Sequence, residues 1–236
     1  MSEVEAVLLA GGRGKRMGEA TLEMQKCLLP IDGKPMLGYI LESLVTALGS
    51  VDLKVAVSYK ASDVMNFIDN NKSPMINVKY VPHDNRGDSW GAYYSVRNDV
   101  NSPFVGLPGD VVADPRVYSE AIKAYYEKRV DLIMSVSSEV DKIDTHALVE
   151  EYNGEVVDIV WPVVDKTSTS GFHRDMTIYA SDERFFGFLK KYEAPGSAVV
   201  KSFRDALLAD DIAIDANVVD TPWVHLGYPQ DLGFRW

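Results

Sequence analysis

Three glycines and three cations stand within six residues, from Gly11 to Arg16, directly after the apolar run VLLA. Backbone N–H groups approach phosphate oxygens closely at such a turn because no Cβ intervenes. Arg13, Lys15 and Arg16, with Lys26 further along, bring four positive charges to it. Unit charges 4 Å apart interact by about 4 kcal/mol at an effective dielectric near 20, so this cluster favours a polyphosphate ligand. The alternative interpretation is a set of solvated surface charges.

Two familiar phosphate-binding loops do not fit this spacing. A dinucleotide fingerprint needs a third glycine or an alanine where the chain has Met17, and no helical pattern starts there. A Walker loop needs Ser or Thr after Gly-Lys, where the chain has Arg16. The sequence instead predicts a long irregular loop that carries the cations and ends before a helix beginning at Pro35.

One carboxylate, Asp110, follows the predicted strand PFVGLPG. Beside phosphates it is repulsive unless a hard cation stands between them, and Mg²⁺ is commonly held by one or two carboxylates plus phosphate oxygens. The alternative role is a helix cap. Because Asp114-Pro115 already supplies an N-cap and a proline at the first helical position, we favour Asp110 as a metal ligand.

The other reactive side chains give weaker signals. Cys27 is the single cysteine, and we interpret it as a buried small apolar residue rather than as a nucleophile. His83, His146 and His173 have no partner at a useful spacing, so we interpret them as structural or exposed.

Composition excludes several classes of partner. A net charge of −11 would repel a phosphate backbone, so we expect no nucleic acid. The N-terminal segment matches neither a signal peptide nor a membrane span, so we expect no membrane partner. With one cysteine and no zinc-like spacing, we expect a cytoplasmic protein.

The elements that must position these residues alternate along the first part of the chain. The predicted strands Val4–Ala10, Leu53–Val57 and Leu132–Val136 are almost continuously apolar, as in a parallel sheet covered on both faces. The alternation predicts an α/β fold with a doubly wound, mostly parallel sheet. After about residue 140, strand patterns separated by turn signals such as Asn153-Gly154 predict a more antiparallel region, followed by two helices.

The run LLAGGRGKRM…QKCLLPIDGKPML resembles the opening signature of the sugar-1-phosphate nucleotidyltransferases, in which a G-G-x-G-x-R loop precedes a P-K-x-L-x-P element and G-K-P-M/L. Matches continue at residues 85–88, Gly109-Asp110, Gly154 and Trp223…Gly227-Tyr-Pro-x-Asp231. The resemblance implies a Rossmann-like nucleotidyltransferase fold. It also implies an enzyme that joins an NTP and a sugar 1-phosphate into an NDP-sugar and pyrophosphate, by metal-assisted attack on the α-phosphate.

The resemblance also implies residue roles. Arg16 would face the β and γ phosphates, Lys26 the α-phosphate or the space between the substrates, and Asp110 the metal, so these three are the candidate catalytic residues. The candidate nucleotide-binding residues are Ala10, Gly11, Gly12, Arg13, Gly14, Lys15, Arg16, Gly87 and Asp88. A turn glycine is an equal explanation for Gly87, and for Asp88 we favour the role of a helix cap.

Three departures from the family pattern fall at the metal and the acceptor. His225 stands where the family has a metal-binding aspartate, and imidazole suits softer ions than Mg²⁺, which brings Mn²⁺ into consideration. Trp161-Pro162 stands where the family has Lys-Pro, and the strand around Arg174 lacks the family's Asn-Thr-Gly motif. The candidate acceptor-binding residues are Lys26, Gly154, Trp161, Lys166 and Arg174, and the candidate metal ligands are Asp110 and His225.

Two main functions stay open at this point. One is an active nucleotidyltransferase with an unusual phosphorylated acceptor, and the other is a regulatory protein of the same fold that binds a nucleotide or NDP-sugar without turnover. Relatives acting on molybdopterin, cobinamide or isoprenoid precursors share the opening loop, but the ending GYPQDL favours the sugar group.

The domain organisation expected from the resemblance is the short form without a C-terminal extension. A single nucleotidyltransferase domain would span residues 1–236, with a nucleotide-binding part over about 1–140 and an acceptor-binding part with the C-terminal helices over about 141–236. The base, the acceptor and the formation of a homo-oligomer are left open.

Overall fold

The computed structural model describes residues 4–83, 88–140, 146–163 and 169–233. The elements before residue 100 are β1 (Glu5–Leu9), 3₁₀ helices at Lys15–Thr21 and Lys26–Leu28, β2 (Pro30–Ile31), β3 (Lys34–Pro35), α1 (Met36–Leu48), β4 (Val51–Val57), α2 (Ala61–Asn71), β5 (Ile76–Pro82) and α3 (Ser89–Ser95). The elements that follow are β6 (Phe104–Pro108), β7 (Val111–Ala113), α4 (Pro115–Lys128), β8 (Leu132–Ser137), β9 (Leu148–Tyr152), β10 (Glu155–Val160), β11 (Phe172–Ser181), α5 (Arg184–Lys191), α6 (Val200–Leu208), β12 (Ile214–Val219), β13 (Trp223–His225) and a 3₁₀ helix at Pro229–Gly233.

Most described strands join one sheet in the order β5-β4-β1-β6-β11-β8-β12-β10-β9. The neighbours β5, β4, β1 and β6 pair in parallel, and β12 pairs in parallel with β8. The strands β9, β10 and β11 make antiparallel pairs. The predicted doubly wound α/β fold with a mostly parallel sheet and a more antiparallel region is therefore confirmed.

Helices cover both faces of this sheet. One buried cluster contains residues of α1, α2 and α4, and a second contains residues of α3, α5 and α6. The central strand β1 is buried over most of its length because it lies between these two layers. Its apolar run is the sequence signature of a strand without a solvent face.

The strand–loop connection after β1 differs from the prediction. We expected one long irregular loop before the helix at Pro35, but the segment forms two 3₁₀ helices and the short β2–β3 hairpin. The first 3₁₀ helix starts after Gly14, which has a positive φ, and the Gln25 side chain accepts a hydrogen bond from the Cys27 amide at the start of the second. The glycine and the capping side chain are local signals, and no apolar periodicity in the sequence predicts these two 3₁₀ helices.

Among the described residues, no helix is both long enough and apolar enough to cross a bilayer.

Gly106 in β6 lies directly under a buried tyrosine of α3. A Cβ at this position would lie 2.6 Å from Tyr93 Oη and 2.7 Å from Cε1, and the Tyr93 ring is held in place by Phe185 at a centroid distance of 5.2 Å. We therefore expect Gly106→Ala to lower the free energy of unfolding in urea by about 1–3 kcal/mol through overpacking.

The matched control is Gly187→Ala on the exposed face of α5, where a Cβ has no described atom within 4 Å. Alanine replaces glycine inside a helix there, so the free energy of unfolding should stay the same or rise by about 0.5–1 kcal/mol. Equal losses in the two variants would contradict the close packing of Tyr93 on β6.

Candidate nucleotide and metal site

The candidate site lies where the order of the parallel strands reverses direction. The strand β1 has β4 on one side and β6 on the other, so the connections leaving β1 and β6 diverge at their carboxyl ends. Ligands of open α/β sheets bind in the crevice formed at such a point. Here a cavity of about 730 Å³ opens between the loop after β1 and the turn after β6.

The glycine loop after β1 is held by its carbonyl oxygens. Gln25 Nε2 donates to the carbonyls of Ala10 and Gly12 at 3.0 and 3.1 Å, and the Tyr59 amide donates to the carbonyl of Gly11 at 3.2 Å. Every hydrogen bond that residues 11–14 make to described residues uses a carbonyl oxygen. Their N–H groups therefore remain for a ligand, as expected of an anion-binding turn.

Gly11 is a position that cannot carry a side chain. A Cβ there would lie 2.2 Å from His83 Nε2 and 2.9 Å from Ser58 Cβ. His83 and Gly11 both line the cavity, so this contact fixes the wall next to the glycine loop. His83 therefore lies on the cavity wall, and its interpretation as a structural residue stays a prediction.

The predicted cations surround the same cavity. Arg13, Lys15 and Arg16 are exposed on its wall. The Arg16 guanidinium lies 6.0 Å above the ring of Tyr228, and the Arg13 guanidinium lies 5.5 Å from the ring of Tyr59. The structure therefore brings the cations predicted for the nucleotide to one side of one opening.

Lys26 and Asp110 form an ion pair on the cavity wall. Lys26 Nζ is 2.5 Å from Asp110 Oδ2, and their side chains are 13% and 28% exposed. Burial would raise the pKa of Asp110, but the Lys26 ammonium and the His225 ring outweigh it and hold the pKa well below its usual range. Asp110 is therefore an anion throughout the neutral range, and its carboxylate caps no helix among the described elements.

The pairing of two short strands places His225 beside Asp110. In the antiparallel pair β7–β13, His225 is opposite Val111, and the Leu226 amide donates to the backbone carbonyl of Asp110 at 3.0 Å. As a result His225 Nε2 lies 3.6 Å from Asp110 Oδ2. The two predicted metal ligands thus lie side by side on the cavity wall.

His146 has a partner that the sequence did not suggest. Its Nε2 lies 2.9 Å from His225 Nδ1, and its Nδ1 lies 2.8 Å from the carbonyl oxygen of Asp175. Burial, followed by the nearby His225 ring and Arg174, lowers the pKa of His146 well below its usual range. The interpretation of His146 as a histidine without a useful partner was wrong, because 79 residues separate it from His225.

Aromatic and polar side chains line the part of the cavity away from the glycine loop. Trp161, one of the predicted acceptor-binding residues, lines the cavity together with Asp175 and Tyr179, and its role stays a prediction. The buried Asp175 carboxylate accepts hydrogen bonds from the Tyr179 hydroxyl at 2.7 Å and from the Thr177 amide at 2.8 Å. Burial raises the pKa of Asp175 to about 6 against these two hydrogen bonds.

Two predicted acceptor-binding residues lie elsewhere. Gly154 is in the β9–β10 turn, where its carbonyl accepts from the Ala216 amide, and Arg174 is buried with its guanidinium 4.1 Å from the Trp223 ring. Neither lines the cavity formed by the described residues, which corrects their assignment to the acceptor. Linear matching to a motif gave their positions in the chain but not whether they face the cavity. Gly87 and Lys166 lie outside the described residues.

Two further predictions concern caps and the cysteine. Asp88 is the N-cap of α3, accepting from the Gly91 amide, and it also accepts from the Gly196 amide at 2.6 Å on the cavity wall. Asp114 caps α4 as predicted. Cys27 is 1% exposed, and burial raises the pKa of its thiol far above the ordinary range, so it is not a nucleophile.

The fold and this site together define a class, the nucleotidyltransferases with a glycine loop and a strand-end carboxylate on one cavity. A family model described as a MobA-like NTP transferase domain matches residues 6–209. The chain belongs to this family.

The similar proteins agree with that class and with the resemblance seen in the sequence. The bifunctional protein GlmU of Methanococcus maripaludis is 23% identical over 232 residues, which are 97% of this chain and 53% of GlmU. The chain therefore spans about half the length of that relative. The UTP–glucose-1-phosphate uridylyltransferase AglF of Haloferax volcanii is 25% identical over 97% of this chain and 93% of AglF. A solved UDP-glucose pyrophosphorylase complexed with UDP-glucose superposes with a TM-score of 0.83 at 15% identity, covering 98% and 95% of the two chains.

The raised pKa of Asp175 predicts a pH-dependent stability. Its pKa is about 6 in the folded chain against an ordinary value of 3.8, so the folded state holds the proton more tightly. The stabilisation that protonation gives is complete below about pH 4 and is lost as the pH rises through about 6. Asp175→Asn removes this titration, so its free energy of unfolding relative to the natural chain should rise between pH 4 and pH 8 by up to about 3 kcal/mol.

Urea unfolding at both pH values measures this difference, with Asp210→Asn as the control. Asp210 is exposed and has a positive φ that asparagine also tolerates. The control should show no such change with pH, and a pH-independent difference for Asp175→Asn would contradict the burial of an ionisable carboxylate.

Proposed function

We propose that this protein transfers a nucleotidyl group from an NTP to a phosphorylated small-molecule acceptor, a sugar 1-phosphate or a similar compound, and releases pyrophosphate. The observation that carries the proposal is the Lys26–Asp110 ion pair on the wall of a cavity that the glycine loop and three further cations also line. A region over about residues 1–140 would bind the nucleotide. The remainder, over about 141–236, would bind the acceptor.

The charge distribution supports a polyphosphate ligand. The chain as a whole carries a net charge of −11, yet four cations converge on the glycine loop side of this cavity. Like charges held together are unfavourable unless an anion compensates them, and a nucleoside triphosphate carries roughly four negative charges. The N–H groups of residues 11–14 add donors on the same side.

The reaction depends on alignment of the two substrates and neutralisation of their phosphate charges rather than on a nucleophile supplied by the protein. An oxygen of the acceptor phosphate attacks the α-phosphorus, the bond to the bridging oxygen breaks, and pyrophosphate leaves with that electron pair. Arg16 is placed to hold the leaving phosphates, since a guanidinium donates to two oxygens at once. Lys26 would move its ammonium from Asp110 to the α-phosphate, where negative charge is shared between the two substrates.

The donor set fits a divalent ion. Asp110 supplies an anionic oxygen and His225 an imidazole nitrogen 3.6 Å away, and no cluster of three ligating side chains occurs among the described residues. Substrate phosphates and water would complete the coordination, as is usual for Mg²⁺ in phosphoryl transfer. When bound, Mg²⁺ or Mn²⁺ would neutralise phosphate charge and orient the α-phosphate.

A second function is favoured by one feature of the acceptor wall. The titratable side chains on that wall beyond Lys26 include the buried carboxylate Asp175, whereas an acceptor phosphate calls for cations. A protein that binds a nucleotide or NDP-sugar without turnover would not need such cations. This regulatory function predicts ligand binding without pyrophosphate release.

Incubation of the protein with each NTP, Mg²⁺ or Mn²⁺, and a panel of phosphorylated acceptors separates the two functions. Pyrophosphate release with one pairing supports the transferase. Thermal stabilisation by an NTP without release across the panel supports the regulatory function. If no NTP at millimolar concentration raises the melting temperature, both are wrong.

Lys26→Met tests the proposed contact with the α-phosphate. We expect pyrophosphate release to fall by at least about 100-fold, because a positioned charge that acts on the transition state typically contributes that much. The matched control is Lys123→Met, which removes an exposed lysine 71% accessible on α4 and should leave turnover unchanged. Equal turnover in the two variants would remove Lys26 from the catalytic residues.

Asp110→Asn tests the proposed metal ligand. The carboxamide keeps the shape but removes the charge, so metal-dependent pyrophosphate release should be lost while the NTP still raises the melting temperature without metal. Full retention of turnover would show that the metal, if required, is held elsewhere.

A further inference from the structure

We propose that Lys26 is the internal counter-ion of Asp110, so that the Lys26 ammonium and a divalent ion compete for one carboxylate until a triphosphate draws the ammonium away. This inference rests on the proposed function, since it assigns Asp110 to the metal and Lys26 to the phosphates. The observation behind it is that the Lys26 ammonium already lies on the carboxylate that would hold the ion.

Two side chains converge on a single oxygen atom of Asp110. Lys26 Nζ lies 2.5 Å from Oδ2, and His225 Nε2 lies 3.6 Å from the same atom. Divalent ions such as Mg²⁺ bind carboxylate oxygens at about 2.1 Å, so an ion on Oδ2 would lie within about 5 Å of the ammonium. Cations so close together repel each other in a partly buried site. The ammonium must therefore leave this oxygen before an ion can bind there.

Close packing holds together the two segments that carry the pair. A Cβ on Gly14 would lie 3.2 Å from both Cβ and Cδ of Lys26, so the glycine loop confines the lysine stem. A Cβ on Gly109 would lie 3.1 Å from Cys27 Cβ, so the turn after β6 contacts the segment of Lys26. Exchange of the counter-ion therefore involves the ammonium end of the side chain rather than separation of the two segments.

The glycine loop gives the ammonium a second place to bind once a phosphate is present. Lys26 and Gly14 line the same cavity, so a triphosphate on the loop N–H groups offers new anionic oxygens to the ammonium. A lysine ammonium has three donors on a flexible stem and moves between anions with little rearrangement. The Asp110 carboxylate that it leaves then lacks a counter-ion, which favours a metal ion there. Triphosphate and metal thus strengthen each other's binding, and this coupling is reciprocal.

The first test is the affinity for Mn²⁺ alone, measured by calorimetry without nucleotide. Mn²⁺ is the probe because imidazole suits it better than Mg²⁺. Lys26→Met removes the competing ammonium, so Mn²⁺ should bind about 10- to 100-fold more tightly than to the natural chain. Lys26→Arg keeps the charge and an ion pair with the carboxylate, so its Mn²⁺ affinity should stay close to that of the natural chain.

Two controls separate the ion pair from a general effect of charge. Arg13→Met removes another cation of the cavity wall, whose guanidinium lies 5.5 Å from the Tyr59 ring, and should change the Mn²⁺ affinity by less than about threefold. The double variant Lys26→Met, Asp110→Asn should lose the gain of Lys26→Met, because the carboxylate that binds the ion is absent.

The second test is the reciprocal affinity, that of an NTP in the presence of EDTA. Asp110→Asn releases Lys26 for the phosphates, so the metal-free NTP affinity should rise by about 10-fold. The matched control is Asp88→Asn, which removes an equal charge elsewhere on the cavity wall and keeps a good N-cap for α3, so it should change this affinity much less. This test does not require Lys26→Met to fold.

Equal Mn²⁺ affinities in the natural chain and in folded Lys26→Met would overturn the proposal. A gain in Arg13→Met or Lys26→Arg as large as in Lys26→Met would overturn it too, as would an unchanged metal-free NTP affinity in Asp110→Asn. The proposed function fails by a different result, the absence of NTP binding and of pyrophosphate release. The expected Mn²⁺ affinities together with that absence would count against the function and leave the competition between Lys26 and the metal standing.

Discussion

The site depends on keeping one carboxylate ionised beside a glycine loop that carries several cations. Asp110 is three-quarters buried and stands at the end of a central strand, where isolated negative charge is costly. Lys26 offsets that cost at 2.5 Å, and His225 approaches from the other side. Removing either charge of such a pair leaves the other uncompensated, so the pair constrains the loop after β1 and the turn after β6 to stay together.

The two sides of the cavity are built from different groups. Beside the glycine loop the wall is backbone, which Gln25 and Tyr59 hold through carbonyl oxygens, so its N–H groups have no partner among the described residues. Backbone donors suit any triphosphate, whichever base it carries. Beside β11 the wall consists of side chains such as Trp161 and Asp175, and side chains distinguish ligands by shape and hydrogen bonding. The departure from the family motif at Trp161 lies on this second side.

Much of this arrangement was predictable from sequence because its signals are local. The buried strand β1, the glycines after it, Asp110 after β6 and the Asp114 cap each follow from a few adjacent residues. The spacing of residues along the sequence did not predict contacts that join distant segments. Lys26 and Asp110 are 84 residues apart, and only a shared cavity relates them. The sequence also did not predict where the Arg174 side chain points. A position in a strand indicates on which face of the sheet a side chain lies, but not which layer covers that face.

Asp175 joins two groups of contacts on the cavity wall through its backbone and its side chain. Its carbonyl oxygen lies 2.8 Å from His146 Nδ1, and His146 Nε2 lies 2.9 Å from Nδ1 of His225, the residue beside Asp110. Its carboxylate accepts hydrogen bonds from the Tyr179 hydroxyl and the Thr177 amide. Because one residue holds both groups, a change in strand β11 that moved Asp175 would displace the histidine pair and the Tyr179 hydroxyl together.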